Sequence, residues 1–82
     1  MNEEEILVYA LKGWIPYICI SNGTQFLRNV NDTRYFWLRN GIPVIGNDWI
    51  EVDLRNYKKI SWKDFDNFFL EKFKEKVKIT NE

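Results

Sequence analysis

An Asn-Gly dipeptide between two runs of β-formers constrains this chain more than any other feature. Tyr17-Ile18-Cys19-Ile20-Ser21 precedes Asn22-Gly23, and Thr24-Gln25-Phe26-Leu27-Arg28 follows it. Asn and Gly tolerate the two positive φ angles of a type I′ turn, whose twist matches that of the strands it joins. The spacing predicts a hairpin with a two-residue loop, pairing Ser21 with Thr24, Ile20 with Gln25, Cys19 with Phe26, Ile18 with Leu27 and Tyr17 with Arg28. Alternation then puts Ile18, Ile20 and Leu27 on one face and Tyr17, Cys19 and Phe26 on the other.

Other signals surround this hairpin. Asn2 and Glu5 have the spacing of an N-cap and its acidic partner, Glu3 and Glu4 suit the positive end of a helix, and Gly13 suits the position after its last turn. They predict a helix over about 3–12 with Ile6, Leu7, Ala10 and Leu11 on its core stripe, the alternative being a strand through Ile6–Leu11. Asn31-Asp32 turns the chain into a third strand, Thr33 to Arg39, where Phe36 and Leu38 alternate with Tyr35, Trp37 and Arg39. Residues 40–47 read as a Gly- and Asn-bounded loop in which Pro43 could pair only at a sheet edge. Asp48 to Leu54 alternates as a fourth strand, with Ile50, Val52 and Leu54 opposite Trp49, Glu51 and Asp53. Ser61 is placed to cap a final amphipathic helix of about 62–77, striped by Trp62, Phe65, Phe69, Phe73 and Val77. Phe68 falls off that stripe and is expected at the widened edge of the core contact, the other reading being an exposed anchor.

The order is α-β-β-β-β-α: an α+β fold whose four-stranded antiparallel meander sheet carries an N-terminal and a C-terminal helix on one face. Eighty-two residues suffice for one core and not two, so residues 1–82 are expected to form a single domain. Four Trp, six Phe and four Tyr supply bulky side chains that offset the small size of the core.

With helices over the face of Ile18, Ile20, Leu27, Phe36, Leu38, Ile50, Val52 and Leu54, the reverse face holds Tyr17, Phe26, Tyr35, Trp37 and Trp49, with Arg28, Arg39, Glu51 and Asp53 among them. Contiguous exposed rings beside arginines are what partner-binding surfaces use at their centres. Tyr17, Phe26, Arg28, Tyr35, Trp37, Arg39 and Trp49 are therefore the candidate partner-binding residues. A competing reading makes the same rings a second core layer, covered by residues 40–47, 55–60 or a helix, with Cys19 a small buried hydrophobe among them. A third outcome is self-association through this face into a two-fold homodimer.

Much chemistry is absent. Without His there is no imidazole base, shuttle or metal ligand, and one cysteine can build neither a disulfide framework nor a zinc site. The four glycines are scattered and no Gly-Lys-Ser/Thr follows, so no phosphate cradle is expected. The strongest enzymatic candidate is the acidic group Asp48, Glu51 and Asp53 with Lys58 or Lys59 beside it, a potential Mg²⁺ site that reads better as a solvated strand face. No catalytic residue, metal or cofactor is assigned.

Twelve basic residues balance twelve acidic ones, so no net field draws the chain to nucleic acid or to an anionic membrane. The acidic start, Met1 to Glu5, lacks a basic n-region and a long apolar run, and a reducing cytoplasm is the expected compartment. Nine Asn, nine Ile and eight Lys against a single Ala point to an AT-rich gene of the kind common in low-GC microbes and their phages. The resulting expectation is a small cytoplasmic, non-enzymatic module that inhibits or adapts a larger protein partner by binding it stoichiometrically. The alternative is single-stranded RNA or DNA binding, with Tyr17, Phe26, Tyr35 and Trp37 stacking bases and Arg28, Arg34 and Arg39 contacting phosphates.

Overall fold

The computed structural model describes residues 2–48 and 54–78. Its elements run α1 (Glu3–Leu11), β1 (Trp14–Cys19), β2 (Gln25–Asn29), β3 (Tyr35–Arg39), β4 (Ile42–Gly46), a 3₁₀ turn (Leu54–Asn56), β5 (Tyr57–Lys59), a second 3₁₀ turn (Trp62–Asp64) and α2 (Asn67–Lys76). Among the described residues the sheet is antiparallel with five strands, ordered β4-β3-β2-β1-β5, one more than the sequence predicts. Both helices pack on one face, around Leu27 and Phe36.

The N-terminal helix starts as expected, with the Glu5 amide donating to Asn2 Oδ1 at 2.9 Å. Its inward side is different. Tyr9 is buried beside Phe73, while Leu7, Ala10 and Leu11 are exposed. The Tyr9 hydroxyl donates to the Val77 carbonyl at 2.6 Å, and Lys74 pairs with Glu5 at 2.5 Å, so the two helices are tied side by side. A ring that fills the core and also reaches an acceptor outweighs two leucines, which explains the rotation.

The hairpins correct the turn assignment. Tyr17 pairs with Phe26 and Ile18 with Gln25, two residues out of the expected register. The Cys19 amide donates to the Thr24 carbonyl at 2.7 Å, so residues 20–23 form a four-residue loop. Within it the Gly23 amide donates to the Cys19 carbonyl at 2.9 Å and the Thr24 amide to Asn22 Oδ1 at 2.9 Å. The next loop repeats this design: Asn29 N to Arg34 O at 2.7 Å, Thr33 N to Asn29 O at 3.2 Å and Arg34 N to Asp32 Oδ1 at 3.1 Å. The fourth loop residue has positive φ in both, 75° at Gly23 and 64° at Thr33. The two-residue turn lies instead at Asn40-Gly41, with φ of 53° and 81°, between Arg39 and its partner Ile42. Ile20 consequently sits in a loop and is exposed rather than roofed by helices.

Residues 42–46, read from sequence as loop, are therefore an edge strand. Pro43 is tolerated because β3–β4 hydrogen bonds alternate along the strand and its missing N–H falls on the outer side. The predicted strand from Asp48 to Leu54 falls almost wholly outside the described residues: Asp48 has no regular structure and Leu54 begins a 3₁₀ turn. Ser61 does cap, its hydroxyl oxygen accepting from the Lys63 amide at 3.2 Å, but what it caps is the short turn 62–64. Phe65 is extended, and α2 begins only at Asn67. Phe68, expected at the core edge, is 56 % exposed.

The core is a cluster of rings. Phe36 packs edge-on against Phe69 and Phe73 at 5.2 and 5.3 Å, and Trp14 meets Phe73 at 5.0 Å. Buried Asn29 closes one end, with Nδ2 donating to the Lys12 carbonyl at 3.1 Å and Oδ1 accepting from the Asn31 and Asp32 amides at 2.8 and 3.2 Å.

Candidate protein-binding groove

The face turned away from the helices is built by strand parity. Tyr17, Phe26, Trp37 and Val44 are successive cross-strand partners and form one row over β1 to β4. Arg28, Tyr35 and Gly46 form the next row. Cys19 and Tyr57 are partners on the other side, where β5 joins β1. The expected grouping of Tyr17, Phe26, Arg28, Tyr35, Trp37 and Arg39 is thus brought together on one face. Trp49, Glu51 and Asp53, expected beside them, lie outside the described residues.

Burial divides this face in two. Tyr17 and Phe26 are only 6 % and 4 % exposed, stacked at 5.2 Å with the Arg28 guanidinium 5.1 Å from the Tyr17 ring centre. They act as a floor, so for these two the second-core reading is the right one. Tyr35, Trp37 and Tyr57 are half-buried, and Arg39 is exposed. A groove of about 340 Å³ opens between them, lined by Asn22, Thr24, Phe26, Tyr35, Trp37 and Tyr57.

Each wall has a local cause. Tyr57 stands edge-on to Phe26 at 4.6 Å and 77°. Tyr35 lies across Gly46, where a Cβ would fall inside its ring, so a residue without a side chain is what lets the ring lie down on the edge strand. Asn22 and Thr24 reach the rim because the loop before β2 has four residues rather than two. The lining offers ring faces, two phenols, an indole N–H, a hydroxyl and an amide, and among the described residues no charged group lines the cavity.

Cys19, the partner of Tyr57, is buried, and the Ser21 hydroxyl 3.2 Å away, with the backbone at Asn22, holds its thiol below the usual range. Among the described residues no group of three His, Cys, Asp or Glu side chains is placed to hold a metal ion, and no helix is long and apolar enough to cross a membrane. A larger cleft of about 510 Å³ runs between α1 and α2, but the paired Glu5 and Lys74 line it together with Glu71, Glu75 and Lys78, so its charges largely answer one another.

Sequence reasoning missed Tyr57, Asn22, Thr24 and Gly46. A three-residue strand is too short to show alternation, and the rim residues follow from the loop length. No protein-family model, curated protein or solved structure matches the chain.

Proposed function

We propose that this domain is a small non-catalytic module that binds a protein partner stoichiometrically by taking an apolar side chain of that partner into the groove between Tyr35, Trp37 and Tyr57. One observation carries the reading: the fold already has a complete ring core on its helix face, yet it keeps three further rings half-open over a sealed floor. Trp and Tyr dominate the energetics of such contacts because they add large rigid area with a polar tip. Exposed Arg39 extends the contact toward carboxylates on the partner. In the cytoplasmic setting that residue usage suggests, a phage- or mobile-element-encoded inhibitor or adaptor of a larger host protein would act this way.

Selection of a displayed random-peptide library on the immobilised domain tests this reading. Enriched peptides should carry a large apolar residue near acidic ones and should lose at least about tenfold in affinity against a Tyr35→Ala/Trp37→Ala variant that still unfolds cooperatively. Equal binding by that folded variant would remove the groove as the site.

A second reading, single-stranded nucleic acid, is favoured by one feature: the strand residues described on this face include Arg28, Arg39 and Lys59 and no carboxylate. Titration with labelled single-stranded RNA at two salt concentrations separates the two. Salt-sensitive binding with Trp quenching would supplant the protein partner.

A further inference from the structure

The helix α1 is apolar on two opposite sides. Its inner side holds Tyr9 and half-buried Ile6, and Val8 lines the cleft toward α2, whereas Leu7 and Leu11, one turn apart, stand 57 % and 75 % exposed on the outer side. No element of the described chain covers this outer stripe. Charge on the helix is segregated as well: Glu3 and Glu4 occupy the first turn, and Lys12 follows the last residue.

That layout is self-complementary in one orientation only. A parallel pair of α1 helices would set Glu3 and Glu4 against their own copies and Lys12 against Lys12. An antiparallel pair brings each acidic first turn to the other chain's Lys12, opposes the two helix dipoles and closes Leu7 and Leu11 into one apolar seam. We propose that the outer face of α1 binds a second copy of this chain, as a two-fold antiparallel helix pair whose axis passes between Leu7 and Val8. Nine helical residues offer far less than the roughly 800 Å² per partner of a standard interface, so the dimer is weak and forms with rising concentration. The aromatic groove lies on the opposite face of the sheet and stays open in such a dimer.

Sedimentation equilibrium up to about 1 mM chain should show reversible monomer–dimer association. Leu11→Lys and Lys12→Glu, both at exposed positions, should each raise the dissociation constant at least about tenfold, while Trp37→Ala leaves it unchanged. Disulfide trapping in a Cys19→Ala background reads the register. Along the helix axis the two copies of residue 7 are offset by roughly 1.5 Å and those of residue 11 by roughly 10 Å, so Leu7→Cys should crosslink and Leu11→Cys should not. A monomer at every concentration overturns the proposal, as does a dimer indifferent to Leu11→Lys or lost with Trp37→Ala, or equal crosslinking at both positions. None of these results bears on peptide binding by the groove.

Discussion

The two faces of the sheet are made by alternate residues of the same strands, yet they select different rings. On the helix-covered face the row Pro16, Leu27, Phe36 and Ile45 meets Phe65, Phe69 and Phe73 from the chain that follows the sheet. On the other face the row Tyr17, Phe26, Trp37 and Val44 is flanked by Tyr35 and Tyr57. Phe carries no polar atom and can be sealed dry, whereas a phenol or an indole N–H must find an acceptor, water or a visitor. The covered face is therefore mainly Phe, and the open face mainly Tyr and Trp. Tyr9 and Trp14 are the exceptions inside the covered core, and the Tyr9 hydroxyl has the Val77 carbonyl.

Neighbouring residues of β3 provide the sharpest way to break this contrast. Phe36→Ala should cost about 3–5 kcal/mol, because a fully buried ring among other rings leaves a cavity. For half-buried Trp37, truncation to Ala should cost roughly 1–2 kcal/mol. Urea unfolding of both variants measures the gap. Equal losses would make the open face a second core and leave nothing for a partner to gain.

Removing the polar closure of the covered face comes next in size. Asn29→Ala deletes one donor and one shared acceptor, leaving the Lys12 carbonyl and the Asn31 and Asp32 amides without that partner; the loss should be about 1–3 kcal/mol. Hydrogen exchange should quicken at the Asn31 and Asp32 amides and through α1, with the Tyr35 and Trp37 resonances little moved. Unchanged protection of α1 would show that the helix is held by its ring contacts alone.

Gly46→Ala acts on the open face. The new Cβ evicts the Tyr35 ring from the edge strand, at a cost on the order of 1 kcal/mol, while Phe36 and the helices stay in place. Tyr35 ring shifts in an NMR spectrum, together with weakened peptide capture, are the expected outcome. A ring that stays put would mean that it does not rely on the glycine.

The parity of these faces was legible in the sequence even though the pairing was not. A slip of two residues moves Phe26 from Cys19 to Tyr17 without moving any side chain across the sheet, because the strand repeat is two. The slip itself arose because Asn-Gly suits more than one turn. At Asn40-Gly41 both residues take positive φ, but at Asn22-Gly23 the Asn side chain accepts from the Thr24 amide and only the Gly does. The inward side of α1 was illegible for a different reason: Ile6 with Tyr9 and Leu7 with Leu11 are both helical apolar stripes, and only the ring contacts with α2 decide between them. The edge strand was hidden by its Gly and Pro, and Tyr57 by the shortness of β5. Of the groove, the rings on long strands could be named in advance, whereas the wall from β5 and the rim from the loop required the fold.

The smallest expected effect concerns the roof of the covered face and its dependence on pH. The Lys74 ammonium beside Glu5 holds that carboxyl below its ordinary value of 4.5, and Glu5 raises Lys74 above its ordinary 10.5. A carboxyl with a lowered folded-state pKa stabilises fully above the unfolded value and loses that contribution as pH falls through the folded one. An ammonium with a raised pKa stabilises fully below its unfolded value and loses it as pH rises through the folded one. The tie between α1 and α2 is thus in force from just above 4.5 to just below 10.5, and it fails first on the acid side in ordinary use. Both groups lie at the surface, where water screens them, so the gain is slight. Lys74→Met should lower the urea midpoint by a small step near pH 7 and by progressively less as the pH falls below 4.5, flattening the acid limb of the profile. Parallel profiles for the two proteins would mean that the helices are held over the sheet by Tyr9 and the phenylalanine rings, with no electrostatic share.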